Sequence, residues 1–224
     1  SVRVANATVL LEPATSNDGF TGRVGPVGQI SLVNFDGIDS VVGTNGTNTL
    51  QRDTIDTTDG VWTLNTTTGN KYVEAGHTLL FSGMTNLIGG PGKDTFEVTG
   101  SHAVNITAGG GDDGVIFQAN GAAITGSINA GAGTDTLSFS GVSTAVTVDL
   151  STLTSFETII GGTGVTDTLI GTVGNNVFEI TSDNSGNVTD LLVSFSGFET
   201  LQGGAGNDSF TFNDLATVDQ IDGG

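Results

Sequence analysis

The sequence predicts an all-β protein, specifically a parallel β-solenoid of about ten coils of roughly 20 residues each. Glycine supplies 36 of the 224 residues and proline only 3. Threonine, asparagine and aspartate are also abundant, whereas Lys, Arg, Glu and Met, which favour helices, are scarce. A short glycine-rich motif also recurs at intervals close to the length of one predicted coil. Stacked coils, about 4.8 Å apart, would each bury an apolar face that its neighbour cannot bury alone.

The net charge of the chain makes some classes of binding partner unfavourable. Five basic residues face 24 acidic ones, which gives a net charge of -19. Nucleic acid and anionic membrane surfaces would be repelled, whereas cations are favoured ligands. No apolar run is long enough to enter and cross a bilayer, so membrane insertion is not expected. The absence of cysteine excludes thiolate metal sites and disulfides, and it suits an exported bacterial protein.

The repeats are visible when the chain is aligned with itself. At an offset of 114 residues, FSGMTNLIGGPGKDTFEV (81–98) aligns with FSGFETLQGGAGNDSFTF (195–212). Further copies are centred on an aspartate or asparagine, at Asn48, Asp113, Asp135, Asp167 and Asn176. The steps from Asp94 to Asp113 and from Asp113 to Asp135 are 19 and 22 residues, close to one coil each. This periodicity is typical of a solenoid.

The repeats also suggest a domain organisation. Short strands in which apolar and polar residues alternate follow the glycine motifs, which sends one face inward and the other to water. Residues 35–224 are therefore predicted to be solenoid repeats, interrupted by segments 51–78 and 182–190, which would be loops or coil extensions. Residues 1–34 lack the glycine motif, and we expect lead-in strands or a capping coil there.

Two copies of the motif are nearly complete. Gly89–Glu97 and Gly203–Thr211 both fit G-G-x-G-x-D-x-U-x, and in this the chain resembles the RTX proteins, large secreted bacterial proteins. Other copies deviate, with Ala108 or Ala130 in place of the first glycine and Asn48 or Asn176 in place of the aspartate. The chain is therefore most similar to the degenerate repeats of very large bacterial adhesins and exoproteins. The resemblance covers roughly residues 35–224 and implies an extracellular or bacterial cell-surface location.

The resemblance also implies a calcium-binding β-roll. In the RTX family Ca²⁺ lies between equivalent turns of stacked coils and is held by backbone carbonyls and the motif aspartates. The matching metal candidates here are Asp94, Asp113, Asp135, Asp167 and Asp208, with Asp112 as an additional ligand. An alternative needs no ion, because Asp and Asn tolerate left-handed turns and bond their own backbone. Both interpretations remain open at this point.

No catalytic residues are predicted. His77 and His102 are far apart in sequence and belong to no metalloenzyme motif. We expect a non-enzymatic repeat segment of a large exported adhesin-type protein, forming a stiff stalk or fibre that calcium would stabilise. Its expected partners are neighbouring repeats of the same longer chain, further copies joined end to end, and an extracellular polysaccharide or cell-surface receptor.

A different class of function also fits. The segment 51–78 contains the one tryptophan and the one tyrosine of the chain, Trp62 and Tyr72. Exposed beside acidic residues, they would suit a polysaccharide-binding or polysaccharide-cleaving parallel β-helix, in which rings stack on sugars. Burial of Trp62 would remove the best support for this alternative.

Overall fold

The computed structural model describes residues 1–12, 19–26, 33–164 and 166–224, and for residues 33–35 it describes the backbone only. The described part of the chain is all-β and includes no α-helix, and its one helical turn is the 3-10 segment Leu150–Thr152. This confirms the predicted class and leaves no helix, within those ranges, that could cross a membrane. Two compact units are present: unit 1 comprises Ser1–Val115 with Gly121–Gly133, and unit 2 comprises Ile116–Asn120 with Thr134–Gly224.

Unit 1 is built from short strands joined by tight glycine turns. Its strands are β1 (Val2–Val4), β2 (Ala7–Glu12), β3 (Phe20–Pro26), β4 (Val33–Ile38), β5 (Ser40–Gly43), β6 (Thr49–Arg52), β7 (Gly60–Asn65), β8 (Asn70–Glu74), β9 (His77–Ser82), β10 (Asn86–Ile88), β11 (Asp94–Thr99), β12 (Ser101–His102), β13 (Asn105–Gly110), β15 (Ala123–Ile124) and β16 (Ile128–Ala132). β14 (Gly114–Phe117) runs across the boundary between the units.

The sheets of unit 1 are mainly parallel. In one, β2, β6, β10, β13 and β16 lie side by side in parallel, and β3 and β4 extend the β2 edge in antiparallel fashion. In the other, β1, β5 and β9 are parallel, β8 and β7 follow as an antiparallel hairpin, and β11 pairs in parallel with β7. The predicted lead-in 1–34 thus contains β1 to β3, while its residues 13–18 and 27–32 lie outside the described part.

Unit 2 repeats this arrangement. Its strands are β17 (Thr136–Ser138), β18 (Thr147–Asp149), β19 (Thr158–Ile160), β20 (Thr168–Ile170), β21 (Val177–Ser182), β22 (Ser185–Val188), β23 (Val193–Ser196), β24 (Thr200–Gln202), β25 (Ser209–Phe212) and β26 (Gln220–Asp222). β18, β20, β24 and β26 form a wholly parallel sheet. β17, β19 and β23 are also parallel, and the antiparallel β22–β21 pair links them to β25.

The strand register shows how many residues separate paired positions in neighbouring strands. Asn86 pairs with Asn105 and Ile106 with Ile128, which are steps of 19 and 22 residues. In unit 2, Thr147 pairs with Thr168, a step of 21. Longer steps contain an antiparallel hairpin: β7–β8 lies within segment 51–78, and the β21–β22 turn lies within segment 182–190.

Apolar side chains at equivalent strand positions form the core of each unit. In unit 1, Leu50, Leu87 and Ile106 are register partners and are almost completely buried. In unit 2, the rings of Phe178 and Phe210 stack with their centroids 4.8 Å apart. This spacing matches the distance between neighbouring strands, so the ring stack follows the hydrogen-bonded ladder.

Candidate functional site

The motif aspartates lie at the start of a strand or just before it, and most of them are buried. Asp94, Asp113, Asp135 and Asp167 are at most 3% exposed, Asp208 is half-buried, and Asp112 lies exposed on its turn. Ionised carboxylates are rarely buried unless they are hydrogen-bonded or paired with a cation. The partners of each carboxylate therefore decide what the turn can bind.

A recurring bond joins the carboxylate of one repeat to the backbone of another. In unit 1, Asp113 Oδ1 accepts a hydrogen bond from the backbone N–H of Asp94 at 2.7 Å. In unit 2, Asp167 Oδ1 accepts from the N–H of Val146 at 2.8 Å, and Asp208 Oδ1 accepts from the N–H of Asn176 at 2.7 Å. Each bond reaches back 19 to 32 residues and satisfies a donor at or next to a strand start. These bonds hold the turns together without any ion.

Two glutamates make the same kind of bond. The backbone N–H of Asp135 donates to Glu157 Oε2 at 2.8 Å, and that of Asp167 donates to Glu199 Oε2 at 2.9 Å. Both glutamates stand in a Phe-Glu-Thr triplet, at 156–158 and 198–200. The sequence analysis did not identify them, although the recurrence of this triplet was a signal that could have done so.

Protein donors surround the carboxylate of Asp94. Oδ2 accepts from the N–H of Gly90 at 2.8 Å and from Arg52 Nη1 at 3.0 Å, and Oδ1 accepts from Trp62 Nε1 at 2.9 Å. The side chain of Asp94 is completely buried. Arg52 thus supplies the positive charge that this carboxylate requires.

Arg52 is the centre of a larger buried network. Its Nη2 forms ion pairs with Glu74 Oε1 at 3.1 Å and Asp56 Oδ2 at 3.4 Å, and it also donates to the carbonyl of Thr58. The Tyr72 hydroxyl donates to Glu74 Oε2 at 3.0 Å. One cation therefore faces three carboxylates in the interior of unit 1. Sequence reasoning missed this network, because Arg52, Asp56 and Glu74 lie in the segment that interrupts the repeats.

Burial and hydrogen bonding shift the pKa values of this network in different directions. Burial, together with a hydrogen bond to Asp56, raises the pKa of Glu74 to about 7. Burial also acts to raise the pKa of Asp56, but hydrogen bonds with Glu74 and Thr58 and the Arg52 charge outweigh it and lower that pKa to about 2. Burial is again the largest influence on Asp94, whose pKa is raised despite its bond from Gly90 and its pairing with Arg52. The network can therefore hold a proton on Glu74 near neutral pH.

Two motif aspartates of unit 2 differ from Asp94 in the bonding of one carboxylate oxygen. Asp167 Oδ2 and Asp208 Oδ2 are buried oxygens without a hydrogen bond in the part of the chain that the structure describes. Asp167 Oδ2 faces its own glycine turn, since a Cβ added to Gly162 would lie 3.0 Å from it. A carboxylate oxygen beside backbone carbonyls is the donor set that Ca²⁺ prefers. Both oxygens of Asp94, by contrast, already accept hydrogen bonds from protein donors.

The asparagine copies have a different chemistry. Asn176 Nδ2 donates to Asp190 Oδ2 at 3.0 Å, and Asn48 Nδ2 donates to the carbonyl of Gly83 at 3.2 Å. A carboxylate could not donate in either place, so these copies use the amide as a built-in donor. Within the described ranges, no three acidic or histidine side chains are grouped to hold a metal ion, so a calcium ion would need backbone carbonyls for most of its ligands.

The aromatic residues of segment 51–78 lie in the core. Trp62 and Tyr72 have no exposed surface, and their ring centroids are 4.4 Å apart. Trp62 also stacks on Phe96 at 5.4 Å. Neither ring can stack on a sugar in this arrangement. His102 is buried and its Nε2 contacts the carbonyl of Thr99, whereas His77 is half-buried and packs against Phe20, so the two histidines occupy separate environments.

A comparison of the chain with models of known families, with curated proteins and with solved structures finds no match in any of the three, and the resemblance to RTX-type repeats therefore rests on the motif residues alone.

Proposed function

We propose that the chain is a non-enzymatic structural segment whose units are parallel β-solenoids, and that it serves as a stiff, calcium-stabilised spacer in a larger exported bacterial surface protein. The observation that carries this proposal is the recurring bond between a motif carboxylate and the backbone of another repeat. Such bonds, made by Asp113, Asp167 and Asp208, convert a turn motif into an inter-coil connection. The export and the surface location are supported by the RTX-type motif and by the acidic, cysteine-free composition.

The coil interpretation is supported by the register. Parallel partners separated by 19 to 22 residues are what coils of roughly 20 residues would produce. Each coil in such a stack contacts mainly its neighbours, so stability grows with the number of coils. A stack of this kind suits a spacer, which must keep two ends apart and need not enclose a substrate.

The coil register of unit 2 can be tested with introduced disulfides, because the chain has no cysteine of its own. Thr168 and Thr200 are Cα partners in neighbouring strands. We expect Thr168→Cys with Thr200→Cys to form a disulfide on mild oxidation, seen as faster migration on a non-reducing gel. Parallel neighbours about 5 Å apart fall within the Cα distances that a disulfide bridges.

The matched control is Thr147→Cys with Thr200→Cys. Thr147 pairs with Thr168, so it lies two strands from Thr200, at about 10 Å, which is too far for a disulfide. Equal cross-linking of both pairs, or none of the first, would contradict the proposed stack.

In this proposal calcium binds at the turns of Asp167 and Asp208. Each would contribute the carboxylate oxygen that makes no hydrogen bond within the described ranges, and the ion would neutralise a buried negative charge. An ion that binds the folded state alone stabilises it by about 2.7 kcal/mol when its free concentration is 100 times Kd. We expect Ca²⁺ to raise the unfolding temperature and to slow hydrogen exchange in the peptides that contain these two turns.

Substitutions of the two aspartates separate specific calcium binding from general charge screening. Asp167→Asn and Asp208→Asn should each weaken the calcium response, whereas Asp219→Asn, which changes an exposed acid of the same unit, should leave it unchanged. If unfolding is the same in calcium and in chelator, the ion assignment is wrong and the aspartates act as inter-coil acceptors only.

No observation favours the polysaccharide alternative. Its support came from Trp62 and Tyr72, and both are buried. A cleft of about 420 Å³ in unit 2 has one carboxylate, Glu157, among its lining residues, and this carboxylate accepts the N–H of Asp135. Hydrolysis of a glycosidic bond usually requires two carboxyl groups across the bond.

A further inference from the structure

A donor–acceptor relation between repeats runs in one direction along the chain. Five backbone N–H groups at or next to strand starts donate to the carboxylate of a residue 19 to 32 positions later. The donors and their acceptors are Asp94 with Asp113, Asp135 with Glu157, Val146 with Asp167, Asp167 with Glu199, and Asn176 with Asp208. Each later repeat thus supplies an acidic side chain that satisfies a donor of an earlier one.

Asp208 stands at the same kind of position but lacks this acceptor. Its Oδ1 accepts the N–H of Asn176, and β25 begins at the next residue. Within the described ranges, no later carboxylate accepts the backbone N–H of Asp208. This N–H is therefore a donor at the edge of unit 2 that is available to a carboxylate of another segment.

The strands around this donor present apolar side chains at the same edge. β25 and β26 are each paired on one side only in the described part of the chain. Phe212 and Ile221 are exposed, whereas their register partners Ile180 and Leu201 have no exposed surface. An unpaired edge with exposed apolar side chains favours the addition of another strand.

We propose that the β25–β26 edge is a docking surface for one further repeat, which is recognised by an aspartate or glutamate that accepts the N–H of Asp208. Alternating apolar side chains of that repeat cover Phe212 and Ile221. The carboxylate supplies selectivity, because a hydrogen bond to a charged acceptor is stronger than one to a neutral group. This inference rests on the parallel stacking in the proposed function but not on calcium binding.

The test adds such a repeat to the full chain. A second copy of residues 205–224, joined after Gly224, places the copy of Asp208 20 residues beyond Asp208. The same step separates Leu201 from its register partner Ile221, so the added strands should continue the ladder. We expect the exchange of the Asp208 amide hydrogen, followed by NMR, to become at least about 10-fold slower than in the unextended chain. The urea m-value should also rise, because unfolding then exposes more surface.

Three further extended chains act as controls. Asp208→Ala in the added copy alone removes the acceptor, and it should return the exchange of the original Asp208 amide towards the unextended rate. Asp214→Ala in the added copy alone changes an acid that is exposed in the original repeat, and it should keep the slow exchange. The same added residues in scrambled order should give neither slow exchange nor a higher m-value.

Several outcomes would overturn the inference. An added repeat that leaves exchange and m-value unchanged would do so, and so would slow exchange that survives Asp208→Ala in the copy. Association of the unextended chain through this edge, together with a disordered extension, would make a second copy of the chain the occupant instead. The disulfide between Thr168→Cys and Thr200→Cys tests the parallel stack separately. A disulfide that forms while the extension stays disordered would contradict this inference alone.

Discussion

At the scale of single residues, the two oxygens of a motif aspartate have separate roles. One oxygen accepts a backbone N–H from another repeat, as Asp167 and Asp208 show. The second oxygen determines the chemistry of the turn. Asp94 departs from this division, because its Oδ1 accepts from Trp62 Nε1 and its Oδ2 accepts from Arg52 and from the N–H of Gly90, whereas in Asp167 and Asp208 the second oxygen makes no hydrogen bond in the described ranges. The same residue type thus stands in two kinds of turn, one with a protein cation beside the carboxylate and one with a carboxylate oxygen that makes no hydrogen bond in the described ranges.

The first glycine of a motif makes room for the side chain of the motif aspartate or asparagine. A Cβ added to Gly171 would collide with the carbonyl of Gly203 and with Asn176 Oδ1. We expect Gly171→Ala to destabilise the protein by about 1–3 kcal/mol, because overpacking forces the two turns apart. Urea unfolding measures the change.

Gly174 lies in the same turn and provides the control. A Cβ there would come no closer than 3.7 Å to any neighbour, and that neighbour is the hydroxyl of Thr172. Gly174→Ala should therefore be neutral or slightly stabilising, since alanine restricts the unfolded chain. Equal destabilisation by both substitutions would contradict a steric role specific to Gly171.

At the scale of elements, the hairpin of β7 and β8 connects the core of unit 1 to the ionic network. Trp62 on β7 and Tyr72 on β8 are register partners, and each carries a hydrogen bond to an acidic residue, Asp94 and Glu74 respectively. The hairpin therefore buries two rings and satisfies two carboxylates at once. Segment 51–78 interrupts the repeat pattern and supplies a buried cation, Arg52, together with two of its three carboxylate partners.

This element predicts a pH dependence. The folded-state pKa of Glu74 is raised to about 7 from an ordinary value of 4.5, so the folded protein binds this proton more tightly than the unfolded chain. Its contribution to stability is complete below pH 4.5 and is lost as the pH rises to about 7. The loss amounts to about 3 kcal/mol.

A comparison of wild type with Glu74→Gln isolates this effect from the other acidic groups. The free energy of unfolding of the wild type, relative to the variant, should fall between pH 4.5 and 7 and then level off. Asp56 contributes in the opposite sense, because its pKa is lowered to about 2 and its stabilisation is lost only in stronger acid. A difference between the two proteins that does not change with pH would show that the pKa of Glu74 is the same in the folded and unfolded states.

At the scale of the whole molecule, the edge of unit 2 formed by β25 and β26 exposes residues that are core residues elsewhere. Phe212 pairs with Ile180 and Ile221 pairs with Leu201, yet Phe212 is 47% exposed and Ile221 38% exposed while their partners are buried. Both strands are paired on one side only in the described part of the chain. An open parallel edge of this kind is a template for another strand.

We therefore expect concentration-dependent association through this edge. Sedimentation velocity should show the change in mass, and Phe212→Asp together with Ile221→Asp should abolish it. Leu215→Asp alters an exposed leucine outside the strands and should have little effect. A protein that stays monomeric at high concentration would show that this edge is protected.

The sequence alone determined the all-β class and the positions of the turns, because glycine spacing and alternating apolar residues act locally. It also located the motif aspartates, but not the partners of their carboxylates. Tertiary structure decided that Arg52 neutralises Asp94, that Trp62 is buried, and that Glu157 and Glu199 accept backbone N–H groups from other repeats. These contacts connect residues 22 to 42 positions apart, and only the stacking of strands brings them within hydrogen-bond distance. A local pattern can specify where a carboxylate stands, whereas its charge partner depends on which distant segment folds beside it.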